Sequence, residues 1–231
     1  MSERGEELAR RLAEVRARIE RAACSVGRDP AGITLIVVSK TWPASDVRLL
    51  AGLGVTDVGE NRDQEAAAKH VACADLGLRW HFVGQLQTNK ARSVAQYADV
   101  VHAVDRTRLV EALQRGAAAA RRRVRCLVQV DLSGQPGRAG VAPGQVLALA
   151  REVAGRASLE LGGLMAVAPL GADPAPAFAR LAELAEQVRA EHPGAADISA
   201  GMSGDLEAAV AAGATHLRVG TAVLGARPRV G

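Results

Sequence analysis

The sequence predicts a (β/α)8 barrel of the TIM type with an extra helix at its N-terminus. Three observations lead there. Short apolar runs recur at eight places, near 33–39, 55–58, 79–83, 99–103, 124–130, 159–166, 196–200 and 215–220. Between them the apolar residues fall at helical spacing, as in Val47/Leu50/Leu53, Leu109/Leu113, Val146/Leu149/Val153 and Phe178/Leu181/Leu184/Val188. Strands alternating with helices make a parallel sheet, and eight strands are the number that closes one into a barrel. The length of 231 residues suits one compact barrel, so residues 1–231 are read as a single domain. A doubly wound open sheet is the structural competitor.

The first element precedes the barrel. Leu8, Leu12, Val15, Ile19, Ala22 and Val26 alternate at spacings of four and three, which draws one apolar stripe along a helix. Gly27 and Pro30 end it. The helix should pack on the body of the barrel or cover one end. Later helices carry start signals of their own, Pro143 and the pair Asp173-Pro174.

Composition narrows the function classes. Hydrophobic residues make up 48% and aromatics only 2%, so the core is Ala, Val and Leu. A net charge of +4 is a mild excess that slightly favours small anionic ligands and is only weak evidence for nucleic acid, which is not expected as a partner. The dense basic run Arg121-Arg122-Arg123 with Arg125 reads as a solvated helix end. Three cysteines, Cys24, Cys73 and Cys126, lack metal-ligand spacing and fit free thiols in a reducing compartment. The five histidines show no ligand spacing either, and no metal is expected. No apolar run approaches the ~20 residues a membrane span needs. Glu3, Glu6, Glu7, Glu14 and Glu20 argue against a transit peptide, so a cytoplasmic protein is expected.

In such barrels the functional groups sit at the carboxyl ends of strands. The first strand, Ile33–Thr41, ends on Lys40, one of only three lysines among 29 basic residues, with Lys69 and Lys90. An amine can lose its proton and condense with an aldehyde, whereas a guanidinium stays protonated. Lys40 is therefore the candidate for a Schiff base, against a plain ion pair with Glu60 or Asp131. Gly201-Met202-Ser203-Gly204 and Gly220-Thr221 follow the seventh and eighth strands, where barrels commonly hold a phosphate on turn amides. Taken singly, Ser203 also fits a helix N-cap and Gly220 a tight turn. The Gly-Met-Ser run lacks the glycine two places after the serine that a hydrolase nucleophile elbow needs, since Asp205 stands there. Arg218 alternates with Leu217 and Val219 and so points into the barrel, toward a ligand heteroatom or a carboxylate such as Glu60. The loops Gly134–Gly140 and Pro169–Pro176 should line the same face as a mobile rim. A lysine, a phosphate cradle and an arginine across one barrel mouth describe a site for pyridoxal 5'-phosphate.

Ordered motifs add to this reading. Val38-Ser39-Lys40-Thr41 with Pro43-Ala44-Ser45, Gly59-Glu60-Asn61, Trp80-His81-Phe82-Val83-Gly84 with Leu86-Gln87-Thr88-Asn89-Lys90, Gly163-Leu164-Met165-Ala166, Gly201-Met202-Ser203 and Arg218-Val219-Gly220-Thr221 together resemble the pyridoxal-phosphate homeostasis proteins. The resemblance covers essentially the whole chain. It implies a barrel like the N-terminal domain of alanine racemase, with the cofactor on Lys40. Ser203, Gly220 and Thr221 would hold the phosphate, Arg218 would face the ring nitrogen, and Asn61 and Met202 would lie by the ring. It further implies a carrier or regulator of cofactor supply without evident catalysis. Its partners would be apo forms of pyridoxal-phosphate enzymes, and its state a monomer or weak dimer. Two departures stand out: Trp42 and Arg138 occupy places where related sequences often carry lysine. A racemase-like enzyme and a cofactor-free class I aldolase-like barrel are the alternatives. A racemase also needs a tyrosine acid/base, and the single tyrosine here, Tyr97, falls near the end of the helix after the third strand, too far from Lys40 to serve.

Overall fold

The computed structural model describes residues 2–135 and 137–226. Met1, Pro136 (inside the expected rim loop) and residues 227–231 lie outside that range.

The chain runs α1 (Glu3–Ser25), β1 (Thr34–Val38), α2 (Ala44–Gly52), β2 (Asp57–Glu60), α3 (Asp63–Ala72) and β3 (Arg79–Phe82). It continues with α4 (Ala91–Tyr97), β4 (Val100–Val104), α5 (Thr107–Ala119), β5 (Val124–Gln129), α6 (Val146–Ala154) and β6 (Leu159–Met165). The last elements are α7 (Pro174–Glu191), β7 (Asp197–Ser199), α8 (Leu206–Ala211), β8 (His216–Val219) and α9 (Thr221–Leu224). All eight strands are parallel and pair in chain order, and β8 returns to β1 through Thr34↔His216, Ile36↔Arg218 and their neighbours. The sheet therefore closes, as the eight-run rhythm predicts, and the open doubly wound alternative is excluded.

Strand parity divides the side chains into two populations. Val37, Val58, Trp80, Val101, Cys126, Leu164, Leu217 and Val219 face the helices and join the main apolar core. The inward positions carry a small separate cluster of Val100, Ala103, Leu127 and Met165 together with polar groups. Alternate residues of a strand point to opposite faces, so one sequence repeat supplies both populations.

Helix α1 starts at an N-cap, where Ser2 Oγ accepts from the Gly5 amide at 3.2 Å. Leu8, Leu12, Val15, Ile19 and Ala22 are buried against α2, α8 and α9, across the seam where the barrel closes. Val26, placed in the same stripe from its spacing, is 44% exposed, because the helix has already ended at Ser25 and Gly27 takes φ +67°. Arginines of α1 tie down the functional end. Arg4 bonds Asp46 at 2.7 Å and the Leu224 carbonyl at 3.0 Å, and Arg18 donates to the Ser203 carbonyl at 3.1 Å. Helix α7 begins as expected, with Asp173 Oδ1 accepting from the Ala175 amide at 3.0 Å.

Candidate functional site

Lys40 lies two residues beyond β1, in a turn closed by the Trp42 amide on the Ser39 carbonyl at 3.0 Å. Thr41 has φ 69°, an uncommon backbone for a β-branched residue and one that costs about 1–3 kcal/mol. Neighbouring groups hold it there. Glu65 Oε1 accepts from the Thr41 amide at 2.6 Å and from Lys69 Nζ at 2.7 Å. Lys69 Nζ also donates to the Ser39 carbonyl at 2.8 Å and to Glu60 Oε1 at 2.7 Å. Ser39 Oγ donates to the same Glu60 oxygen at 2.7 Å. Burial raises the Glu60 pKa, against the opposing pull of Lys69 and Ser39. Glu60 thus serves Lys69 and Ser39 beneath the turn.

Arg218 is buried and hydrogen-bonds inside the barrel, not to Glu60 as one reading of the sequence expects. Its Nη1 donates to Ser199 Oγ at 2.5 Å and its Nη2 to the Ala166 carbonyl at 2.9 Å. Burial lowers its pKa to about 10, which Asp205 partly opposes, so the guanidinium stays charged at neutral pH. A guanidinium has five N–H donors, and these bonds take two.

The turns after β7 and β8 meet. Ser203 Oγ accepts from Thr221 Oγ1 at 3.1 Å and from the Ala222 amide at 3.2 Å. Ser203 is therefore not an N-cap of α8. Asp205 precedes that helix, and its Oδ1 accepts from the Met202 amide at 2.6 Å. Gly201 has φ +87°, and a Cβ there would lie 2.6 Å from Ala209 Cβ. Only glycine lets the turn fold this closely onto α8.

These pieces surround one cavity of about 390 Å³. Lys40, Asn61, Met202, Ser203, Arg218, Gly220 and Thr221 all line it, so every candidate residue from the sequence is brought to one place. The volume falls in the range of small-molecule sites. Asn61 is held by close packing, since a Cβ on Gly84 would sit 2.5 Å from its carbonyl oxygen. A second cleft of about 620 Å³, containing Lys90 and Arg62, adjoins the first at Asn61. The rim loops also meet, with Arg138 and Ala139 facing Ala168, Pro169 and Leu170 across a smaller pocket.

Several residues read differently from the sequence alone. Trp42 lies beneath Arg4, with the guanidinium carbon 4.5 Å from its ring, so this lysine-to-tryptophan departure serves the α1 clamp. Arg122 bonds Asp99 at 2.6 Å and Arg125 bonds Asp197 at 2.6 Å, so the solvated reading of the basic run holds for the exposed Arg121 and Arg123 and is corrected for these two. Cys126 is a buried thiol pushed up to about 12. Tyr97 is buried with its hydroxyl 3.3 Å from Asp63 Oδ1, and it is absent from the cavity lining. Desolvation raises its phenol pKa further. Sequence spacing gave no sign that His81, His102 and His216 would gather inside the barrel, with ring centroids 5.2–6.4 Å apart. No group among the described residues has the geometry of a metal site.

Comparison with known proteins agrees with the architecture. Residues 7–228 match the family described as alanine racemase, N-terminal domain. A pyridoxal phosphate homeostasis protein of Mycobacterium tuberculosis is 46% identical over 244 residues, covering 97% of this chain and 95% of its own. The Escherichia coli protein of that name is 39% identical, covering 96% and 97%. Among solved structures, PipY of Synechococcus elongatus, determined with PLP bound, superposes with a TM-score of 0.83 at 36% identity, covering 94% of this chain and all of its own. The chain belongs to the pyridoxal phosphate homeostasis protein family and carries its fold, the alanine racemase N-terminal barrel.

Proposed function

We propose that this protein holds pyridoxal 5'-phosphate in the 390 Å³ cavity and serves intracellular homeostasis of the cofactor. The observation that carries the reading is the union, in one small cavity, of a lysine amine, a charged arginine and a hydroxyl-rich pair of turns. These groups match the aldehyde, the ring nitrogen and the phosphate of that cofactor. When bound, the cofactor supplies an aldehyde to an amine and a ring able to accept electrons.

The residues then divide the work. Lys40 Nζ attaches as a Schiff base, and the strained turn at Thr41 fixes the direction from which it enters. Ser203 Oγ, Thr221 Oγ1 and the turn amides at Gly220 and Thr221 accommodate the phosphate. Arg218 donates to the ring nitrogen, and a donor-only guanidinium disfavours a proton there, which weakens the ring as an electron sink. Asn61 and Met202 flank the ring.

A holding role fits better than a racemase. Proton transfer at a substrate carbon needs a placed acid/base, and the single tyrosine has its hydroxyl at Asp63, outside the cavity. The cofactor-free aldolase reading leaves the paired turns at Ser203 and Thr221 without a purpose. Apo forms of pyridoxal-phosphate enzymes are the partners this role calls for, in the cytoplasm, from a single-domain monomer or weak dimer. Among the described residues, no helix is long and apolar enough to cross a membrane.

Borohydride reduction of the loaded protein followed by peptide mapping tests the attachment. The phosphopyridoxyl group is expected on Lys40; finding it only on Lys69 or Lys90 overturns the assignment. An assay with purified protein and alanine, or other amino acids, tests the holding role, and efficient racemisation overturns it.

A further inference from the structure

A hydrogen-bonded chain runs through the barrel interior from the cavity toward the opposite end. Arg218 Nη1 donates to Ser199 Oγ at 2.5 Å, and Ser199 Oγ lies 2.9 Å from His102 Nδ1. His102 Nε2 lies 2.9 Å from His81 Nδ1, and His81 Nε2 lies 2.9 Å from Asp57 Oδ1. Asp57 opens β2, at the end of the barrel away from the cavity, and it does not line the cavity.

The chemistry of the two ends fixes the middle. An arginine can only donate and a carboxylate can only accept. Thr56 Oγ1 donates to the other Asp57 oxygen at 2.7 Å, and the bonds from His81 and Thr56 hold the Asp57 pKa down against burial. His81 must then donate from Nε2, so a neutral His81 accepts at Nδ1. His102 in turn donates from Nε2 and accepts at Nδ1, and the Ser199 hydroxyl hydrogen points to His102. Ser199 Oγ is left to accept from Arg218. With both rings neutral no other arrangement satisfies all four bonds. The reverse order requires a second proton on His81. His102 is held neutral, its pKa pushed well down by burial first and then by His81, Arg218 and His216.

We infer that Asp57, His81, His102 and Ser199 form a one-directional positioning chain. It fixes the two imidazole tautomers and, through Ser199, aims the Arg218 guanidinium at the cofactor ring. This rests on the reading of Arg218 as the ring-nitrogen partner. The chain also gives the buried guanidinium an oriented row of dipoles ending on a carboxylate, in place of a directly paired acid.

The test has two arms. In the cofactor-free protein at neutral pH, nitrogen-15 NMR of the imidazoles is expected to show both His81 and His102 as neutral Nε2–H tautomers. An Nδ1–H tautomer at either ring, or an imidazolium at His81, overturns the proposal. In the second arm, Asp57→Asn provides an amide that can donate as well as accept, which permits the reversed order. Nδ1–H signals should appear, and the pyridoxal phosphate Kd should rise at least about fivefold, the lower end of coupling between separate sites. Wild-type tautomers with unchanged affinity in a folded Asp57→Asn protein overturn it. If Asp57→Asn does not fold, Ser199→Ala takes its place, with the same loss of affinity expected and unchanged affinity overturning the proposal. Failure of the wild type to bind pyridoxal phosphate at all sinks the cofactor reading and with it the aiming of Arg218, whereas the tautomer arm needs no cofactor and decides the direction of the chain by itself.

Discussion

Lys69 and Glu60 form a buried ion pair at 2.7 Å directly beneath the turn that carries Lys40, and side-chain exposures of 7% and 1% exclude water from it. Removing one partner of a buried pair leaves the other charge uncompensated and costs about 3–5 kcal/mol. Lys69→Met should therefore destabilise the protein by about 3 kcal/mol in chemical denaturation. It should also loosen the Thr41 turn, because Glu65 loses the ammonium that holds it. Stability unchanged within about 0.5 kcal/mol would show that the pair supports nothing.

Gly201→Ala tests the turn before Ser203. The new Cβ meets Ala209 Cβ at 2.6 Å and Leu217 Cδ2 at 2.9 Å, on a backbone with φ +87°. Strain and overpacking together should cost about 3 kcal/mol. Because the turn carries Met202 and Ser203, affinity for pyridoxal phosphate should fall with stability, as isothermal titration would show.

Histidine burial gives stability a pH dependence with a definite sign. The folded-state pKa of His102 lies well below the ordinary 6.5, and that of His216 is also lowered, in both cases chiefly by burial. The unfolded chain therefore binds protons that the folded chain refuses. The stabilisation is complete above about pH 6.5 and is lost as pH falls below it, by up to about 1.4 kcal/mol per pH unit for each group. Glu60, whose pKa burial raises, acts in the opposite direction as pH falls through its folded value. His102→Gln keeps a donor and an acceptor but does not titrate, so denaturation between pH 7 and 5 should show a shallower loss than in wild type. Parallel slopes would contradict the assignment.

Much of this was legible along the chain because a parallel barrel converts sequence order into spatial order. Each apolar run ends at the same face, so Lys40, Asn61, Ser203 and Thr221 could be assembled from their places after strands. Strand parity likewise put Arg218 inside. The partners of these residues were not legible, since closure brings together positions with no local signature. Lys69 looks like a polar residue of α3 until the helix packs and sends its amine under Ser39. His81 and His102 lie 21 residues apart and Ser199 a further 97, and only the barrel interior joins them. Trp42 has its reason in Arg4, which reaches over its ring from the helix before the barrel.

The roles given to the cavity all depend on Lys40 carrying the cofactor. Pyridoxal phosphate added to purified wild-type protein should produce the near-visible absorbance of the lysine-bound cofactor, saturating at one equivalent. Lys40→Ala, folded by circular dichroism, should show only the spectrum of free cofactor. The same saturable band in Lys40→Ala, or its absence from the wild type, would contradict the account.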